Sequence, residues 1–216
     1  VVLSLLASAR VKTTFAKYSR VRSLSGYTGA QAAEQLLRSS GINDVQIERV
    51  AGNLTDHYDP RTKVLRLSDS VYAQSSIAAI GVAAHECGHA IQHNHSYVPL
   101  AFRGALVPVA NFGSALSWPL IIIGLFMGTS SILIDLGIIL FSASVLFQLV
   151  TLPVELNASK RAIARLEESG ILAGDEIKGT KKVLGAAALT YVAAAAASIL
   201  QLLRLLLLFG GGRRRD

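Results

Sequence analysis

The chain has 216 residues, 51% of them hydrophobic and only 16% charged, with a mean hydropathy of +0.46 and a formal net charge of +7. A soluble domain usually carries about 25% charged residues, so this balance excludes an ordinary soluble domain and intrinsic disorder alike. Cys87 is the only cysteine, which excludes a disulfide-built secreted module.

In chain order, Val1–Ala9 is apolar but covers only about half a bilayer at 1.5 Å per residue. Arg10, Lys12, Lys17, Arg20 and Arg22 follow it. Residues 1–20 therefore read as a partial N-terminal transmembrane anchor with its basic flank. A chain that starts at Val1 rather than Met is expected to continue this anchor upstream.

Residues 21–103 form the polar portion. Thr28 with Gln31 makes a capping-box pattern opening a helix through Leu37, and Gly41 closes it. Val45–Val50 and Lys63–Leu67 alternate apolar with polar residues and read as strands. Ser75 or Ser76 then caps a helix that runs to about His93.

Residues 104–154 read as a transmembrane hairpin. No Asp, Glu, Lys or Arg occurs from Gly104 to Ile134, nor from Leu136 to Val154; a spanning helix needs about 20 apolar residues. Gly128, Thr129, Ser130 and Ser131 supply the turn, and Pro119 beside Trp118 is placed to kink the first leg. Asp135 falls near the far end of the second leg, where interfacial water solvates it. Residues 155–182 are a further helix and polar segment. Residues 183–216 form a C-terminal membrane helix, interrupted by Arg204, which snorkels or pairs, and end in the basic tail Arg213–Arg215. The expected fold is a mainly α-helical integral membrane protein with a small α+β, zincin-like portion.

The helix ending near His93 carries His85-Glu86-Cys87-Gly88-His89. Two histidines at i and i+4 lie one turn apart on one face, so both imidazoles can reach one tetrahedral zinc. Glu86, rotated by about 100° from His85, can polarise a water at an open metal position and act as general base. The run before the motif, Ile77–Ala84, is small and apolar, a setting in which such polar groups are costly without a purpose. Cys87 points away from the histidine face and reads as a small buried packer. His93 reads as solvated or as support for the ligands.

A catalytic zinc needs a third protein ligand, and two residues compete for it. His95 falls where HExxHxxGxxH places its last histidine, but that pattern needs glycine at the position of Gln92, and no later Met-turn follows. Glu155, in Pro153-Val154-Glu155-Leu156-Asn157-Ala158-Ser159, would give the arrangement in which a carboxylate comes from a separate helix, and it is favoured.

His85–His89, Thr55-Asp56-His57-Tyr58-Asp59-Pro60 and Glu155-Leu156-Asn157-Ala158-Ser159 together resemble the YugP-type membrane zinc metallopeptidases over nearly the whole chain. That family is similar to the HtpX and CAAX-prenyl membrane proteases. The resemblance implies a gluzincin with one Zn2+ per chain, held by His85, His89 and Glu155. It also implies an acidic residue four positions after the ligand glutamate, buttressing a zinc histidine. Ser159 stands there instead, so that support is weaker or comes from elsewhere, with His57 and Asp59 as candidates.

Three residues are candidate oxyanion donors by chemistry alone, His57, Tyr58 and Tyr191, although Tyr58 could equally be turn packing and Tyr191 helix packing. Lys63, Val64, Leu65, Arg66 and Leu67 are expected to form an edge strand to which an extended peptide adds, with Lys63 or Arg66 facing it.

The basic residues flank apolar segments as the positive-inside rule requires, so the lipid bilayer, not nucleic acid, is the expected partner. They place the catalytic side in the cytoplasm of a multi-pass protein of the cell (inner or plasma) membrane. The expected function is a membrane zinc metalloprotease that cleaves peptides or membrane proteins near the bilayer surface. A zinc-binding membrane chaperone or scaffold without turnover is the alternative, and a transporter a more distant one.

Overall fold

Thr28 accepts from the Gln31 amide while the Gln31 side chain bonds back to the Thr28 amide, so the expected capping box opens a helix, α2 (Gly29–Ser39). Gly41, just past its end, takes the left-handed conformation (φ 73°) that terminates helices. In this computed structural model, which describes residues 2–127 and 131–209, the other elements are α1 (Val2–Tyr18), β1 (Gln46–Val50), β2 (His57–Asp59), β3 (Val64–Ser68), α3 (Ile77–Asn94), α4 (Val98–Phe126), α5 (Ser131–Ser169) and α6 (Asp175–Phe209). The turn expected over 128–131 lies outside the described residues apart from Ser131, which begins α5; the basic tail at 213–215 also lies outside them.

The chain is a mainly helical membrane protein with a small α+β portion. α4, α5 and α6 each contain a stretch long and apolar enough to cross a bilayer. Two compact units divide it: Leu5–Tyr97 with Val154–Thr190, and Val1–Ser4 with Val98–Pro153 and Tyr191–Asp216.

The second of these is the membrane unit. α4 runs as one helix through both Pro108 and Pro119. Small residues let α4 and α5 meet closely: a Cβ at Gly113 would stand 2.6 Å from the Leu140 carbonyl oxygen, and one at Gly137 2.8 Å from that of Ser117. Ile121, Ile134, Ile138 and Leu205 form its interior. Large apolar side chains such as Phe112 and Phe126 remain exposed, as a lipid-facing surface requires.

The other unit holds the polar portion. Of the basic flank expected to follow the first anchor, Arg10, Lys12 and Lys17 are helical, because α1 continues unbroken to Tyr18 with Lys17 in its last turn, while Arg20 and Arg22 lie beyond its end. Ser76, not Ser75, caps α3, its side chain accepting from the Ala79 amide. α3 packs on α2 and on the sheet, and Leu36, Leu65, Leu67, Ile80 and Ile91 are fully buried in the shared core.

The sheet order is β1-β3-β2, with β1 parallel and β2 antiparallel to β3. This corrects the expectation for Lys63–Leu67. Val64, Leu65, Arg66 and Leu67 lie in the central strand; Val64, Leu65 and Arg66 are paired on both sides and offer no free edge to a peptide, and Leu67 is paired to Arg49 of β1. Arg66 reaches Glu48 on β1 (3.1 Å) and Asp59 on β2 (3.9 Å), and Lys63 pairs with Asp44. The charges expected to face substrate are thus engaged by neighbouring segments. β2 has no counterpart in the strands expected from the sequence; its three residues, His57, Tyr58 and Asp59, occupy the other side of β3 along Val64–Arg66.

Candidate metal centre

The i, i+4 spacing brings the His85 and His89 rings to a centroid separation of 4.8 Å on α3, edge to face at 87°. The third group comes from α5, 70 residues after His85. Glu155 Oε2 lies 3.2 Å from His85 Nε2 and 3.5 Å from His89 Nε2. His85, His89 and Glu155 are thereby gathered with one ligand atom each within 4.8 Å of the others, a group able to hold a metal ion. Tetrahedral zinc with bonds near 2.0 Å sets its ligand atoms about 3.3 Å apart, so both His–Glu separations fit that ion.

Close approach of α3 to α5 makes this possible. A Cβ at Gly88 would stand 2.4 Å from the Ala158 carbonyl oxygen, so only glycine permits the crossing between the two histidines. Two polar clamps flank the crossing. Ser159 Oγ is 3.0 Å from His85 Nδ1, and Gln92 Oε1 is 3.0 Å from His89 Nδ1. With Nδ1–H donating in both cases, each Nε2 keeps its lone pair for the metal.

Gln92 is fully buried, and its amide donates to the Val154 carbonyl (2.8 Å) and to Asn157 Oδ1 (3.0 Å). Asn157 also accepts from Arg161 Nε at 2.8 Å, and the Arg161 guanidinium lies 5.9 Å from the centre of the Tyr97 ring. Gln92 thus ties His89 to the backbone and side chains of the helix that carries Glu155. In the sequence Gln92 stands out only as the misfit to a metzincin pattern. The usable signal was its place three residues after His89, on the same helical face.

Burial by itself would lower the His89 pKa, but the hydrogen bond to Glu155 and the negative charge of Glu86 and Glu155 outweigh it and raise the value. The same field attracts a dication. Glu86 is largely buried, yet it has no hydrogen-bond partner among the described residues and its oxygens remain accessible. A carboxylate in that condition is available to bind a water.

The remaining candidates are distributed as follows. His95 is exposed at the C-terminal cap of α3 and is not in the group. The support sought from His57 or Asp59 is supplied by Ser159 instead: His57 Nδ1 engages the Thr55 carbonyl, and Asp59 accepts from the Arg61 amide and the Thr62 hydroxyl. Tyr58 Oη lies 2.9 Å from His93 Nδ1, and burial is the chief cause that pushes its pKa up to about 12. Tyr191 is partly buried on α6 in the membrane unit. Cys87 is buried with its thiol 3.6 Å from the Ala33 carbonyl, and burial raises its pKa.

Comparison with known proteins agrees with this geometry. Residues 1–210 match the family described as "putative neutral zinc metallopeptidase". The chain is 52% identical over 191 residues to a Bacillus subtilis (strain 168) protein described as "putative membrane protease YugP", a match covering 88% of this chain and 84% of that protein. No solved structure matches the chain. A helix bearing two histidines, a carboxylate carried to them by a second helix and a match along almost the entire length lead to one assignment: the chain belongs to the family described as "putative neutral zinc metallopeptidase".

Proposed function

We propose that this chain is a membrane zinc metalloprotease of gluzincin type, with His85, His89 and Glu155 as the zinc ligands and Glu86 as general base. The observation that carries the reading is the convergence of both Nε2 atoms on Glu155 while their Nδ1 atoms are held from behind. Zinc held by such a set supplies Lewis acidity, which brings the pKa of a water down to about 7 and polarises a carbonyl. Glu86 takes the proton of the attacking water as its oxygen bonds to the scissile carbonyl carbon. The same carboxyl returns that proton to the amide nitrogen as the C–N bond breaks and then carries the second water proton to the amine, leaving an ammonium and a carboxylate. An intact Glu86, without a hydrogen-bond partner among the described residues, favours turnover over a scaffold that only binds metal.

The substrates in this reading are membrane proteins or peptides held near the bilayer. Glu155 follows the apolar run Leu136–Pro153 by two residues, about 3 Å along a helix, which favours a site close to the headgroups. Five basic residues from Arg10 to Arg22 and six from Lys160 to Lys182, against none over 128–131, favour a cytosolic active side in the cell membrane. Glu86→Gln is the test. It should abolish casein or peptide hydrolysis while zinc stays near one equivalent per chain; substantial residual hydrolysis would overturn the assigned role.

A further inference from the structure

α1 and α6 enclose a concavity of about 430 Å³, lined by Arg10, Thr14, Lys17, Lys182, Gly185 and Leu189. Among the described residues none of its three cations forms a direct ion pair; Asp175 feels the charge of Lys182 but pairs with Lys178. Neighbouring lysines outside the concavity do form such pairs: Lys178 with Asp175 at 2.8 Å and Lys181 with Glu167 at 3.0 Å. The Lys17 ammonium instead lies 5.6 Å from the centre of the Tyr18 ring. Three cationic residues line a hollow that no carboxylate among the described residues lines. That is a site for an anion.

The walls decide which anion. Arg10 directly follows the apolar start of α1, and Lys182 directly precedes the apolar run that opens at Val183 on α6. Both cations therefore stand where an apolar segment meets a polar one. Leu6, one turn before Arg10 on the same face, is 64% exposed, and Leu189 is 41% exposed. Gly185 keeps the floor open: a Cβ there would meet nothing within 4 Å. Arg10 and Lys17 are seven residues apart, about 10 Å along the helix, which leaves room for a phosphodiester with glycerol carbons beside it. A free phosphate would use the cations and waste the apolar wall; a phospholipid uses both. Basic pockets between membrane helices bind anionic headgroups on these grounds.

We propose that this concavity is a binding site for one anionic glycerophospholipid, its phosphodiester held by Arg10, Lys17 and Lys182 and its acyl chains running along Leu6 and Leu189. The site is separate from the metal centre and does not depend on the peptidase reading.

The test uses the full chain in neutral detergent, with native mass spectrometry and thermal shift as readouts. Dioctanoyl phosphatidylglycerol, dioctanoyl phosphatidylcholine and inorganic phosphate are the probes. Phosphatidylglycerol should bind saturably at one equivalent and phosphatidylcholine should not. Inorganic phosphate should bind more than about ten-fold more weakly, since burial of two methylenes already accounts for that factor. Each cation removed should weaken phosphatidylglycerol binding about five-fold, and Arg10→Ala with Lys182→Ala about 25-fold. Gly185→Leu, which fills the floor and leaves every charge in place, should abolish lipid binding. Lys181→Ala, outside the hollow, should change nothing. Three results would overturn the proposal: inorganic phosphate binding as tightly as the lipid with Gly185→Leu inert, unchanged lipid binding in the double variant, or Lys181→Ala acting like Lys182→Ala, the sign of diffuse charge rather than a site.

Discussion

Gln92→Leu keeps nearly the volume of the side chain and removes its three hydrogen bonds. His89 Nδ1–H loses its buried partner, whereas the Val154 carbonyl keeps its bond within α5 and Asn157 keeps Arg161. An orphaned buried group costs about 1–3 kcal/mol, so metal-free stability should fall by about that amount. The metal should respond separately. A ligand histidine freed from its supporting partner loses its fixed tautomer and ring orientation, and zinc affinity should fall about 10–100-fold. Competition against a chromophoric chelator in detergent measures the affinity; thermal unfolding in excess EDTA measures the metal-free stability. Gln92→Glu separates the two effects. It keeps an acceptor for His89 Nδ1 but sets a carboxylate against the Val154 carbonyl and Asn157, so it should restore much of the affinity and none of the stability. A folded Gln92→Leu protein that binds zinc within about two-fold of the wild type would refute the reasoning.

Ser159→Ala should lower zinc affinity about ten-fold by freeing His85 Nδ1, and Ser159→Asp, a stronger acceptor, should match or exceed the wild type in the same titration. Tyr58 holds its proton to about pH 12 in the folded chain, against about 10 when unfolded. Its contribution is therefore complete below pH 10 and is lost as pH rises toward 12; Tyr58→Phe should remove that part of the alkaline fall in stability, and an unchanged fall would rule it out. Ser169→Cys should resist membrane-impermeant maleimide on intact cells and label after permeabilisation, while external labelling would reverse the proposed orientation.

What the amino-acid order determined alone was whatever depends on local periodicity. The capping box at Thr28 and Gln31 closes over three residues. The pairing of His85 with His89 follows from 3.6 residues per turn, and the apolar runs within α4, α5 and α6 follow from length and composition. Glu155 came from its motif context, and its place beside the histidines then depended on where α5 crosses α3. The crossing is set by Gly88 against Ala158, a contact between residues 70 positions apart that leaves no trace in either helix's pattern. Tertiary structure alone decided the rest: Ser159 and Gln92 behind the ligands, Tyr58 on His93 and β3 between two neighbours. The alternation over Lys63–Leu67 specifies a strand but not how many strands flank it, because hydrogen bonds along both edges come from the backbone and are blind to side-chain identity.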